Sequence, residues 1–171
     1  MDLESRVRRL EDRAAISDLV VGYFLAADGD DMDGVSASFA PDATFSSSGV
    51  ANAKGRPSIA DFIRSARLHM GLTVHTPHYV QLEFSESDHA SGLVGAHLEL
   101  DLDGTPVYGA VRYEDTYVRL PDGWKIQTRD MRVIFIAPWS EAGNALAAEA
   151  AVRWPGTSGS PSDYARASVR S

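Results

Sequence analysis

Tyr23, Asp28, Arg129 and the five histidines, His69, His75, His78, His89 and His97, are the side chains whose types suit proton transfer. A carboxylate, hydroxyls and imidazoles form a kit for taking a proton from carbon and returning it, with no cofactor required. Asp28 and Tyr23 stand out by spacing. In the stretch Arg13–Asp33, apolar residues fall at Ile16, Leu19, Val20, Tyr23, Phe24 and Ala27, in steps of three and four. That spacing predicts one buried face of a helix. The face delivers the Tyr23 hydroxyl and, five residues on, the Asp28 carboxylate to the end of a helix packed in the core. A carboxylate at the edge of an apolar cavity can serve as acid or base. A solvated aspartate beside a helix-ending glycine, Gly29, reads the same locally.

The histidines separate by context. His89 lies in a polar turn and reads as solvated; His69 ends a helix, where a partly charged imidazole is favourable. In a regular strand His78 shares a face with Val80, Leu82 and Phe84, while His75 shares the other with Tyr79, Gln81 and Glu83. Period-two alternation therefore favours His78 as the cavity histidine. Pro77, between the two, predicts a bulge that would undo this phase. His97 alternates with Gly95, Glu99 and Asp101 and reads as exposed. Arg129 alternates with Met131, Val133 and Phe135, so it is expected to point into an apolar cavity. A lone guanidinium there needs a carboxylate or a substrate oxygen. No metal is expected: no His-x-x-x-His pair sits on a helix, and His75-x-x-His78 on a strand is a poor chelate. No glycine-rich phosphate loop and no Gly-x-Ser-x-Gly elbow is present.

The elements that must position these groups come in two blocks. Asp2 can cap a first helix with Leu3, Val7 and Leu10 apolar, either joined to the Arg13–Asp33 helix or broken near residues 11–13. Asp30 or Asp31 caps a second helix carrying Met32, Val35 and Phe39, with Pro41 ending it. Ala43–Ser46 and Val50–Lys54 read as short strands around a turn at residues 47–49. A third helix opens at residues 55–58, with Ile59, Phe62, Ile63, Ala66 and Met70 on one face and Gly71 to stop it. From Val74 the period becomes two. Long strands are predicted at Val74–Ser85, Gly92–Asp101, Val107–Leu120 and Trp124–Ala137, joined by hairpin-type turns. Helices first and an antiparallel meander second predict an α+β fold, with the helices covering one face of a curved sheet. After residue 138 the texture changes. An Ala-rich stretch, Glu141–Arg153, reads as a C-terminal helix. Residues 154–171 read as a tail that is mobile or lies across a neighbouring surface.

The totals narrow the function classes. The 171 residues suit one domain with a sizeable core, here residues 1–138, and the apolar share of 44% is ordinary. A net charge of −8, with no basic stripe, argues against nucleic acid as a partner. The absence of cysteine excludes a disulfide framework, thiolate metal sites and a cysteine nucleophile. No apolar run reaches membrane-span length and the N-terminus lacks a signal-peptide core, so a cytoplasmic location is the expectation.

The segments RAAISDLVVGYFLAADGDD, FAPDATF, KGRPSIADFI, TVHTPHYVQLEF and YEDTYVRLPDGWKIQTRDM together resemble the SnoaL-like branch of the nuclear transport factor 2-like superfamily. That branch includes bile-acid 7α-dehydratase, scytalone dehydratase and γ-hexachlorocyclohexane dehydrochlorinase. The resemblance covers roughly residues 5–138 and implies a cone-shaped α+β barrel, with helices inside a curved sheet. It implies a dyad of Asp28 and His75, against the phase argument, with His78 as second choice. It also implies Tyr23 and Arg129 as catalytic partners, and a homo-oligomer, dimer or trimer. Tyr79 departs from the pattern, since many relatives have Asn there. His78, Tyr79, Phe24, Met131 and Phe135 are the expected substrate-binding residues. The resulting expectation is a cofactor-independent, dehydratase-like lyase acting on an apolar cyclic substrate of steroid, terpenoid or polyketide kind. An isomerase or polyketide cyclase in the same pocket, or a binding module without turnover, are the alternatives.

Overall fold

The computed structural model describes residues 2–164. The first helix is continuous: α1 spans Leu3–Asp28, capped by Asp2, whose carboxylate accepts the Ser5 N–H at 2.8 Å. Its buried face carries Ile16, Val20, Tyr23, Phe24 and Ala27, as the spacing predicts, while Leu3, Val7 and Leu10 remain exposed. Asp31 caps α2 (Met32–Ala37) by accepting the Gly34 N–H at 2.9 Å. Then come β1 (Phe39–Ser47), β2 (Val50–Lys54), α3 (Arg56–Arg67), β3 (Met70–Phe84), β4 (His89–Leu102), β5 (Thr105–Leu120) and β6 (Gly123–Pro138).

Two helix ends differ from expectation, for one reason. Phe39 belongs to β1, where it pairs with Ile126, and Met70 opens β3 opposite Leu102. Strand pairing captures both residues from the helical faces that local spacing assigns them. Pro41, expected as a helix stop, lies within β1, in the irregular gap between Phe39 and Thr44 where pairing with β6 lapses. A residue without an N–H is tolerated there.

The six strands form one unclosed, mixed sheet in the order β2-β1-β6-β5-β4-β3. Only β1 and β6 run parallel; every other neighbouring pair is antiparallel. Asp103 and Gly104, both at positive φ (49° and 82°), make the tight turn between β4 and β5. α1 packs its face into the sheet, so that Ile16, Val20 and Phe24 join Val94, Leu98, Tyr113, Ile126 and Ile136 in one core. This is a cone-like α+β architecture.

The C-terminal part departs from a long helix. A 3-10 turn, Trp139–Glu141, leads into a short α4, Ala142–Ala147, and the chain is extended from Ala148. β1 last pairs with β6 at Ser47–Met131, which leaves the rest of that β6 edge open. Residues 151–153 fill it. Ile136 N–H donates to Ala151 O at 3.1 Å, and Arg153 N–H to Ile136 O at 2.7 Å. Val152 and Ser160 exchange backbone bonds of 2.9 and 2.8 Å. Further on, the Asp163 carboxylate accepts from Val133 N–H at 2.7 Å and Ser48 Oγ at 2.8 Å. Residues 155–164 thus lie across the neighbouring sheet; the remainder of the expected tail, 165–171, lies outside the described residues.

Candidate active site

The open end of the cone holds a cavity of about 170 Å3, with Tyr23, Phe62, His75, Tyr113, Met131 and Trp154 among its walls. His75 reaches it from the start of β3, and Asp28 stands behind His75 at the end of α1. Asp28 Oδ1 lies 2.6 Å from His75 Nδ1, and Asp28 Oδ2 accepts the His75 backbone N–H at 2.8 Å. Burial opposes ionisation of Asp28, but the bonds and charge of His75 outweigh it and hold the carboxyl below its ordinary value. Asp28 is therefore a carboxylate at neutral pH and can only accept. His75 Nδ1 must then carry the hydrogen of that bond, which leaves Nε2 as the ring nitrogen not engaged by Asp28. Phe24 stacks flat on the His75 ring, centroids 4.8 Å apart and planes 4° from parallel. Between the carboxylate and the phenyl ring, the imidazole has one orientation.

The phase of β3 explains the choice of histidine. Pro77 pairs with Ala96 and Tyr79 with Gly95, so His78 is the extra residue of a bulge. Before the bulge Thr73 and His75 face the helices; after it Val80 and Leu82 do. His78 turns outward, its ring 4.3 Å from that of His97, on the face away from the cavity. Burial, then the neighbouring His78, push the His97 imidazole below its ordinary pKa. Tyr79 is also on that face; its hydroxyl accepts from Arg112 Nε at 2.9 Å and its ring lies over Gly95, where a Cβ would clash. His78 and Tyr79 are not walls of the cavity.

β6 holds a second reversal. Val133 pairs with Val111 but Phe135 with Ala110, so Ile134 is extra. Met131 faces the cavity as expected, whereas Phe135 packs outward against Tyr108 at 5.9 Å. Phe24 touches His75 rather than the cavity space.

Arg129 corrects a different expectation. It points inward but lies beneath the cavity floor, its side chain 0% exposed. The carboxylate that a buried guanidinium needs is Asp115, its direct partner across β5 and β6. Arg129 Nε and Nη2 donate to Asp115 at 2.9 and 2.6 Å, and Tyr117 donates to the same carboxylate at 2.7 Å. The guanidinium lies 4.3 Å from the Tyr23 ring centroid and 4.7 Å from that of Tyr113. Burial disfavours its charge, but Asp115 more than restores it, and its pKa is raised. Burial raises Tyr23 as well, with Arg129 acting in the opposite sense; burial likewise raises Tyr113. Both phenols are neutral donors throughout the physiological range.

Sequence reading missed Tyr113, Asp115, Thr73, Arg67 and Trp154. The sign of Asp115 was present: it alternates with Val111, Tyr113 and Tyr117, a carboxylate on an apolar strand face. Arg67 and Thr73 meet at the cavity edge, Nη1 to Oγ1 at 2.6 Å, while Arg67 Nε binds Asp30 at 2.6 Å. Among the described residues, Glu86, Asp88 and His89 are the one trio whose ligand atoms gather within 4.8 Å; all three are exposed, and none lines the cavity.

A cone of helices in a bent, unclosed sheet, with an apolar cavity and an oriented imidazole at its open end, defines a small-molecule pocket protein of α+β class. The SnoaL-like domain matches residues 8–130, and the chain belongs to that family. Hexachlorocyclohexane dehydrochlorinase LinA-type3 of Novosphingobium barchaimii LL02 superposes with a TM-score of 0.73 at 22% identity, over 79% of this chain and 94% of that one. A candidate scytalone dehydratase of Novosphingobium aromaticivorans gives 0.73 at 17%, over 90% and 99%. A candidate aromatic ring hydroxylase of the same organism gives 0.70 at 28%, over 75% and 94%. Among curated proteins, no sequence matches the chain. No helix of the described residues is long and apolar enough to cross a membrane.

Proposed function

We propose that the protein is a lyase of dehydratase kind, working without a cofactor on an apolar ring compound. The observation that carries this reading is the Asp28–His75 bond, which orients the imidazole at the wall of an apolar cavity. His75 Nε2 takes a proton from carbon. The C–H electron pair forms the new double bond, and the bond to the leaving group breaks toward that group. Asp28 stabilises the imidazolium formed, as the acid of a triad does for its histidine. Tyr23 gives its proton to a departing hydroxyl, which leaves as water, and the proton on His75 passes to solvent as Tyr23 regains one. Tyr113 is a second donor on the same wall. The dehydrochlorinase and dehydratase names among the similar folds support elimination over other uses of such a base.

The test is a panel of cyclohexane and cyclohexanone derivatives carrying hydroxyl or chloride next to an acidic C–H, assayed for release of water or chloride. The wild-type protein should eliminate from some of them. His75→Ala should lower turnover by about a hundredfold or more, the scale of losing a general base. His78→Ala, on the outer face, should leave it unchanged. Proton exchange or double-bond migration without loss of a leaving group would replace the lyase by an isomerase. Binding without any turnover would make the cavity a carrier site.

A further inference from the structure

The SnoaL-like match ends at residue 130, yet one wall of the cavity comes from beyond it. Trp154 stands where the C-terminal segment has just been stitched to β6 by Arg153 N–H on Ile136 O. On its other side the Trp154 carbonyl accepts from Thr157 N–H at 3.1 Å and Thr157 Oγ1 at 2.8 Å, fixing a turn. Trp154 is partly buried against the core and, with Met131, lines the cavity. It shares the cavity with Phe62, Met70 and His75.

We propose that Trp154 sets the size of the molecule admitted to His75, limiting it to a single ring. The inference rests on the cavity being the substrate site. The magnitude comes from the space enclosed. The cavity measures about 170 Å3. An apolar cavity of about 150 Å3 holds one benzene. A six-membered ring with small substituents therefore fits beside His75. Two fused rings do not fit while the indole is in place, and a four-ring steroid still less. Trp is the largest side chain, so removing it enlarges the space beside His75. The restriction is set by a segment outside the matched domain. A change in that segment would alter substrate size without touching Asp28, His75 or Tyr23.

The experiment uses the full chain, with cyclohexanol as one-ring probe and decahydro-1-naphthol as two-ring probe, binding measured by calorimetry. Wild type should bind cyclohexanol and take up the two-ring alcohol weakly or undetectably. Trp154→Ala should tighten the two-ring alcohol by about tenfold or more, in the range that pocket size contributes to selectivity. Trp154→Phe, which keeps a ring in place, should retain most of the exclusion. Should Trp154→Ala not fold, Trp154→Leu takes its place. Wild type binding the two-ring alcohol more tightly than cyclohexanol would overturn the proposal, as would an unchanged ratio in the Ala or Leu variant. His75→Ala separates this from the reaction itself. It should lower elimination by about a hundredfold or more while Trp154→Ala, made in the same His75→Ala background, still tightens the two-ring alcohol. Elimination that depends on His75 but ignores Trp154 would sink the size filter alone.

Discussion

Removing Asp115 tests the reading of the cavity floor. Asp115→Ala deletes the one anion that compensates a guanidinium whose side chain, like that of Asp115, is 0% exposed. Two charge-assisted bonds, of 2.9 and 2.6 Å, go with it, and the Tyr117 hydroxyl loses its acceptor. Stranding one member of a buried pair costs about 3–5 kcal/mol. For a chain of this size each kcal/mol moves the melting temperature by about 2–4 °C, so a drop of about 6–20 °C is expected. Arg129→Met should cost a similar amount, because it strands the carboxylate and removes the cation from between Tyr23 and Tyr113. The double variant Asp115→Ala/Arg129→Met leaves no uncompensated charge. It should cost no more than either single change, a coupling of about 3–5 kcal/mol or more. Urea denaturation of the four proteins, with the slope of the transition checked for constancy, supplies the cycle. A single-variant cost below about 1 kcal/mol, or simple additivity in the double, would refute the claim that this pair is dry and mutually dependent.

Asp28→Asn should remove a defined part of the acid limb of stability. The native carboxyl is held below its ordinary value, so its contribution is present above the unfolded pKa and is lost as pH falls through the lowered native one. Chemical denaturation between about pH 6 and pH 3 should therefore show a shallower decline in the variant than in wild type. Tyr23, Tyr113 and Tyr117 are all raised by burial, so their ionisation destabilises the fold as pH climbs past the ordinary phenol value. Absorbance titration at alkaline pH should find these three silent until the protein unfolds. Asp12 is buried on α1, accepting from Trp124 Nε1 at 3.2 Å and from Arg119. Asp12→Ala leaves the indole N–H without a partner and should cost about 1–3 kcal/mol in a denaturation experiment.

The alternation and helical spacing of the chain by themselves determine the order of helices and strands, the inward face of α1, and the positions of Tyr23 and Asp28 at its end. These are short-range matters: a residue three or four places on shares a helix face whatever the rest of the chain does. Period two fails where strands slip. One extra residue at His78 and one at Ile134 each reverse a face, exchanging His78 for His75 and expelling Phe135. A bulge is fixed by the partner strand's register, which no local pattern contains; Pro77 only hints at the first. The partner of Arg129 is legible as chemistry, since a buried guanidinium needs a carboxylate. That the carboxylate is Asp115 follows only from the pairing of β5 with β6. Helix ends at Phe39 and Met70 yield to sheet hydrogen bonds for the same reason. Trp154 is the furthest case. It lies in a stretch of Pro, Gly and Ser with little local preference, and it reaches the cavity because β1 leaves half of the β6 edge unpaired. Unpaired backbone groups there recruit the nearest free chain, and only the assembled sheet decides which residue that chain carries inward.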